Sequence, residues 1–95
     1  MLSSIDKGLD TFGSSVRIVV YFELSKLFGI RREEIPVKPE ALTHTIEKIF
    51  GQGYQSVTRV ILTMLEETTG IKGLSDRDLS SAIRTAYHSQ LEKMY

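Results

Sequence analysis

The fifteen residues between Gly13 and Gly29, SSVRIVVYFELSKLF, constrain the fold more than any other stretch. The run RIVVYF on its own favours a strand, because Ile, Val, Tyr and Phe are β-formers. It continues without punctuation through ELSKLF, however, and that length predicts a helix. Arg17, Glu23, Ser25 and Lys26 are all that interrupt its apolar circumference. A helix apolar nearly all round is expected at the centre of a domain, packed from more than one side.

The same pattern recurs. Ser15-Val16 through Gly29-Ile30 aligns without gaps on Ser56-Val57 through Gly70-Ile71, at an offset of 41. Val19 meets Val60, Val20 meets Ile61, and Leu24 meets Leu65. A Phe-Gly pair precedes each copy, Phe12-Gly13 and Phe50-Gly51. Either the chain carries a duplicated helical hairpin, or two amphipathic helices share the likeness that such helices have. In the second copy, Arg59 and Thr63 replace Ile18 and Phe22. The second helix therefore has an ordinary polar outer face, whereas Ile18 and Phe22 need a cover. The candidate covers are the last helix of the same chain and a second subunit. Ile18 and Phe22 are accordingly the candidate interface residues.

Punctuation places the remaining elements. Ser3 or Ser4 is expected to cap a first helix ending near Phe12-Gly13, and Ser14 or Ser15 a second running to Phe28. Ile30–Lys38 reads as a linker in which Pro36 biases Ile35 toward extended backbone. Pro39 suits the first turn of a third helix, Pro39 to Phe50. A fourth runs from Gly53 or Tyr54 to Thr69, and Gly70 and Gly73 bracket the next loop. Ser75 is expected to cap the last helix, with Asp78 in its first turn. Leu79, Ala82, Ile83, Ala86, Tyr87, Leu91 and Met94 then form its apolar stripe. The expected fold is a single all-α domain over residues 1–95. It is a compact five-helix bundle made of two pseudo-repeated helical hairpins plus a C-terminal helix.

Composition narrows function mainly by exclusion. Twelve basic residues balance twelve acidic ones in a chain of 95, seven of each sign in the first fifty and five of each in the rest. No basic cluster marks a general phosphate-backbone binder, so nucleic acid is an unlikely partner. Near-zero charge permits self-association. Without cysteine, disulfides, thiol catalysis and cysteine-ligated iron–sulfur centres are excluded. No apolar run reaches membrane-spanning length, and residues 1–15 do not read as a signal peptide. The expectation is a cytoplasmic protein with no membrane partner.

Motifs for chemistry are missing. His44 and His88 have no short-range ligand spacing, so no metal site is expected. Asp76 and Asp78 form D-x-D without the rest of a calcium loop. Glu33-Glu34 and Glu66-Glu67 are adjacent pairs, which on a helix do not face one way. No serine has a nucleophile-elbow frame. The expectation is no catalytic residue, no cofactor and no enzyme activity. The segment FGQGYQS (Phe50 to Ser56) resembles a glycine-rich phosphate loop but lacks the Lys-Ser/Thr pair and the preceding strand. It reads as a turn with Gly51 as helix stop. Exposed N–H groups at the next helix start still suit an anion. That makes Gly53, Gln55, Ser56 and Arg59 the candidate anion or nucleic-acid contacts.

The segments SSVRIVVYFELSKLFGI, EEIPVKPEALTHTIEKIFGQG and the second SV…L…GI stretch resemble a group of small archaeal, wholly helical domains of uncharacterised function. Some of these serve as output modules in signalling proteins. The resemblance spans about two thirds of the chain and implies a helical fold and a signalling or scaffold role. It transfers no active site. The leading expectation is a non-enzymatic interaction or regulatory module that self-associates, as a homodimer, through apolar helix surface. An unknown protein partner is a further expectation. The alternative is a nucleic-acid-binding or transcription-associated module using the start of the fourth helix, and a small-ligand sensor is a third reading.

Overall fold

The computed structural model describes the backbone of residues 1–93 and the side chains of residues 1–91. Met94 of the expected C-terminal stripe lies outside the described residues. The fold is all-α. The described helices are α1 (Leu2–Asp10), α2 (Ser14–Phe28), α3 (Pro39–Phe50), α4 (Tyr54–Thr69) and α5 (Leu79–Lys93). Short 3₁₀ turns at Arg32–Glu34, Gly51–Gly53 and Leu74–Asp76 lie in the connections.

The expected compact five-helix bundle needs correction. Four helices of 12 to 16 residues make the body. The first element has nine residues, too short to count as an equal member of a bundle or as half of a hairpin repeat. It docks most extensively not on its chain neighbour α2 but on α4. Gly8 shows why. A Cβ at that position would stand 2.7 Å from the Ile61 side chain and 3.0 Å from the Ile61 Cα. Mid-helix glycine costs about 1 kcal/mol relative to alanine, and here it lets two helix backbones approach closely.

The expected central helix is also corrected. α4 occupies the centre, contacted by α1, α3 and α5, and buries Val57, Ile61, Leu62 and Leu65. α2 buries only Val20 and Leu24. It packs on α1 and α3, while α5 packs on α3 and α4, so α5 does not supply the cover expected for α2. The core gathers Ile5 and Leu9 of α1, Leu42 and Ile46 of α3, and Ala82, Ile83 and Ala86 of α5 around the buried faces of α2 and α4.

Local corrections have local causes. Ser3 and Ser4 lie inside α1, whose N-cap is Met1. Gly13 is the N-cap of α2, without a side-chain bond. Ile35 is helical (φ −53°, ψ −44°) despite the following proline. Its side chain is fully buried, and its carbonyl accepts from the Lys38 N–H at 3.1 Å, so packing and turn formation outweigh the local bias. Ser75 does not cap α5. Asp78, immediately before Leu79, accepts from the Ser81 N–H at 3.3 Å. Ser75 instead donates its N–H and its hydroxyl to Glu66, at 3.0 and 2.9 Å. Those two bonds hold the Glu66 carboxyl below its ordinary pKa.

Candidate interaction surface

At about 100° per helical residue, Ser15, Ile18, Val19, Phe22 and Lys26 share one face of α2. Opposite them lie Val20 and Leu24, both fully buried. The face is thus fixed by which side α1 and α3 cover. Ile18 is 67% exposed and Phe22 65% exposed, one turn apart, where i and i+4 side chains adjoin. The two expected interface residues are therefore brought together, and the monomer does not hide them.

Beside this pair runs an apolar cleft of ≈ 150 Å³ between α2 and the end of α3, lined by Ser15, Val16, Val19, Ile49 and Phe50. The Phe12 ring packs on the Phe50 ring at a centroid distance of 6.3 Å, which extends the apolar surface past the start of α2. A salt bridge from Lys48 to Glu23 at 3.8 Å spans α3 and α2. Lys26 is the cation on the outer face, and Asp10, at the end of α1, is an exposed anion near the other end of α2.

The orientation of α2 depends on a polar cluster that sequence reasoning missed. The Arg32 guanidinium grips the Asp6 carboxylate with two bonds, Nε to Oδ1 at 3.0 Å and Nη2 to Oδ2 at 2.6 Å. The Tyr21 hydroxyl donates to the same Oδ1 at 2.6 Å. Arg17 lies 4.0 Å from Asp6 and 3.5 Å from Asp10. Burial opposes ionisation of Asp6, but the Arg32 and Tyr21 bonds outweigh it and hold the carboxyl below its usual range. Burial, together with the bond to anionic Asp6, pushes the Tyr21 phenol well above its ordinary value. The cluster joins α1, α2 and the Arg32–Glu34 turn, which leaves Ile18 and Phe22 facing outward. Its partners stand 15 and 26 residues from Asp6, so no short-range pattern announces it.

The candidate anion contacts are divided. Gln55 and Arg59 line a polar groove of ≈ 340 Å³ with Thr58, Leu62, Ser75 and Arg77. Gly53 and Ser56, both exposed, do not line it. The FGQGYQS segment is a 3₁₀ turn between two helices, with Gly51 in the positive-φ conformation (φ 56°) that favours glycine. Sequence reading missed Arg77, which reaches the groove from the connection before α5. Its clustering with Arg59 has no local spacing to betray it.

Each histidine lies beside an aromatic ring. The His44 ring lies 6.3 Å from Phe28, and the His88 ring 6.3 Å from Tyr87. Among the described residues, no three His, Asp or Glu side chains gather as metal ligands, and no helix is long and apolar enough to cross a membrane. Compared with protein-family models, curated proteins and solved structures, the chain matches none.

Proposed function

We propose that this chain is a non-enzymatic interaction module that pairs with a second copy of itself through the outer face of α2. The carrying observation is that Ile18 and Phe22, one turn apart, are two-thirds exposed beside an apolar cleft of ≈ 150 Å³ on the same helix. The face is self-complementary. A cavity of about 150 Å³ admits a benzene ring, so the cleft of one copy has room for the Phe22 ring of another. A two-fold axis makes that insertion reciprocal.

Fully burying an Ile or Phe side chain contributes about 1.5–3 kcal/mol. Two per copy, already partly covered, supply roughly 4–8 kcal/mol for the pair. Association costs about 4 kcal/mol or more in lost freedom. The surplus is about 4 kcal/mol at most, so the expected dimer is weak, dissociating at about millimolar concentration. Weak pairing suits a regulatory or signalling module in the cytoplasm, the role implied by the resemblance to signalling output domains. Light scattering across a concentration series tests the reading. The expected mass rises from 10.7 kDa toward twice that value. A constant monomer mass up to millimolar chain overturns it.

A further inference from the structure

The polar groove at the start of α4 does not depend on self-association, and it has the chemistry of a ligand site. Arg59 and Arg77 line it together with Gln55, Thr58, Leu62 and Ser75. Among the described residues, the ion pairs engage Arg17, Arg32, Lys48 and Arg84, and neither Arg59 nor Arg77 has a carboxylate within 4.0 Å. Arg77 gives one N–H to the Thr85 hydroxyl at 2.9 Å, which steadies its guanidinium and leaves its other donors available. Of the nearby carboxylates, Glu66 is the one beside Ser75. It is already engaged by the N–H and hydroxyl of Ser75, so Ser75 offers the groove an acceptor only.

The groove continues into a second hollow of ≈ 420 Å³, which shares Gln55, Thr58, Leu62 and Arg77 with the first and adds Tyr54, Glu47 and Asp78. The two adjoining hollows together thus carry two guanidinium groups with no carboxylate partner among the described residues, an aromatic ring, the Leu62 side chain and two carboxylates. Planar guanidinium groups match phosphate oxygens, an aromatic ring offers a stacking face, and carboxylates accept from exocyclic amines. Ligand pockets span about 300–1,000 Å³, a range that both hollows fall within.

We propose that this groove binds a nucleoside monophosphate unit, with its phosphate at Arg59 and Arg77, its ring against Tyr54, and a base amine at Glu47 or Asp78. The phosphate can belong to a free nucleotide or to a nucleic-acid strand.

Titration of the ¹⁵N-labelled full chain at low salt with AMP, inorganic phosphate and the single strand dA6 tests the proposal. AMP is expected to shift the amides of Gln55, Thr58 and Arg77 saturably, at least tenfold more tightly than inorganic phosphate. Arg59→Ala and Arg77→Ala are each expected to weaken AMP by about tenfold, the scale of one charge-assisted contact. Both positions are exposed, and an unchanged circular dichroism spectrum confirms that each variant folds. Binding of dA6 at the same amides, tighter than AMP, keeps the site and identifies a strand as the phosphate source. Equal binding of phosphate and AMP removes the ring from the proposal and overturns it. So do shifts elsewhere, no saturable shift at millimolar AMP, or arginine variants that bind as the parent does.

Discussion

α2 and α4 align residue for residue at an offset of 41, yet they do opposite jobs. α4, with Arg59 and Thr63 turned to solvent, is the helix that the domain is built around. α2, the more apolar of the two, lies at the periphery with Ile18 and Phe22 turned outward. Apolar content did not decide which helix became central. A docking partner did. α4 receives α1 through the Gly8 notch and α5 on another side, whereas α2 is held by α3 and by the Asp6–Tyr21–Arg32 cluster. What remains of the apolar surface on α2 is free for use outside the monomer.

The strongest way to break this comparison is to make one substitution on both helices. Ile61 is fully buried and Ile18 is two-thirds exposed. Ile61→Ala is expected to cost about 2–5 kcal/mol, and Ile18→Ala less than about 0.5 kcal/mol, in urea unfolding at concentrations dilute enough to keep the chain monomeric. Similar losses at the two sites would mean that α2 is not peripheral.

Next in size is the tie that orients α2. Asp6→Asn removes a charged hydrogen-bonded group and is expected to cost about 1.5–3 kcal/mol at neutral pH. The pH dependence has a definite sign. The folded-state pKa of Asp6 is lowered from 3.8, so its contribution is complete above that value and is lost as pH falls through the lower folded value. Tyr21 acts at the other extreme. Its raised folded pKa gives a contribution that is complete below about 10 and declines at higher pH as the unfolded phenol ionises. Asp6→Asn is expected to flatten the acid limb of the stability curve. An unchanged acid limb would show that the cluster does not hold α2.

Gly8→Ala sharpens the account of α4. Alanine is the better helix former by about 1 kcal/mol, but its methyl would meet the Ile61 side chain and backbone. Net destabilisation of about 1–3 kcal/mol is expected. A gain in stability would mean that α1 does not need its close approach. The smallest effect is expected at Ser4, whose fully buried hydroxyl has no hydrogen-bond partner among the described residues. Ser4→Ala should leave stability unchanged or raise it by up to about 1 kcal/mol, measured as a shift of the thermal midpoint.

Much of this architecture is legible in sequence because backbone signals are local. Gly29, Gly51 and Gly70 stop helices by taking positive φ, and Pro39 opens α3 as its ring requires. The exposure of Ile18 and Phe22 is visible as a question, since with Val19 they form an apolar patch between Ser15 and Lys26 on one face. What sequence does not carry is the answer, because packing partners are chosen by shape across long separations. Gly8 is the one clue to the α1–α4 contact, a glycine within a helix where alanine would be preferred. Asp6 with Arg32, and Arg59 with Arg77, meet only in the fold. Gly53 and Ser56 do not line the groove that Gln55 and Arg59 line. Gly53 and Ser56 adjoin Gln55 and Arg59 in sequence, but successive helical residues point to different sides.

The most direct test exchanges the outer faces. Ile18→Arg together with Phe22→Thr gives α2 the residues that α4 carries at the aligned positions, Arg59 and Thr63. Light scattering at high chain concentration is expected to show the parent chain approaching twice 10.7 kDa and the exchanged variant remaining at 10.7 kDa, with the same helical circular dichroism. Equal masses for the two proteins, monomeric or dimeric, would contradict the claim that this face of α2 is the contact between copies.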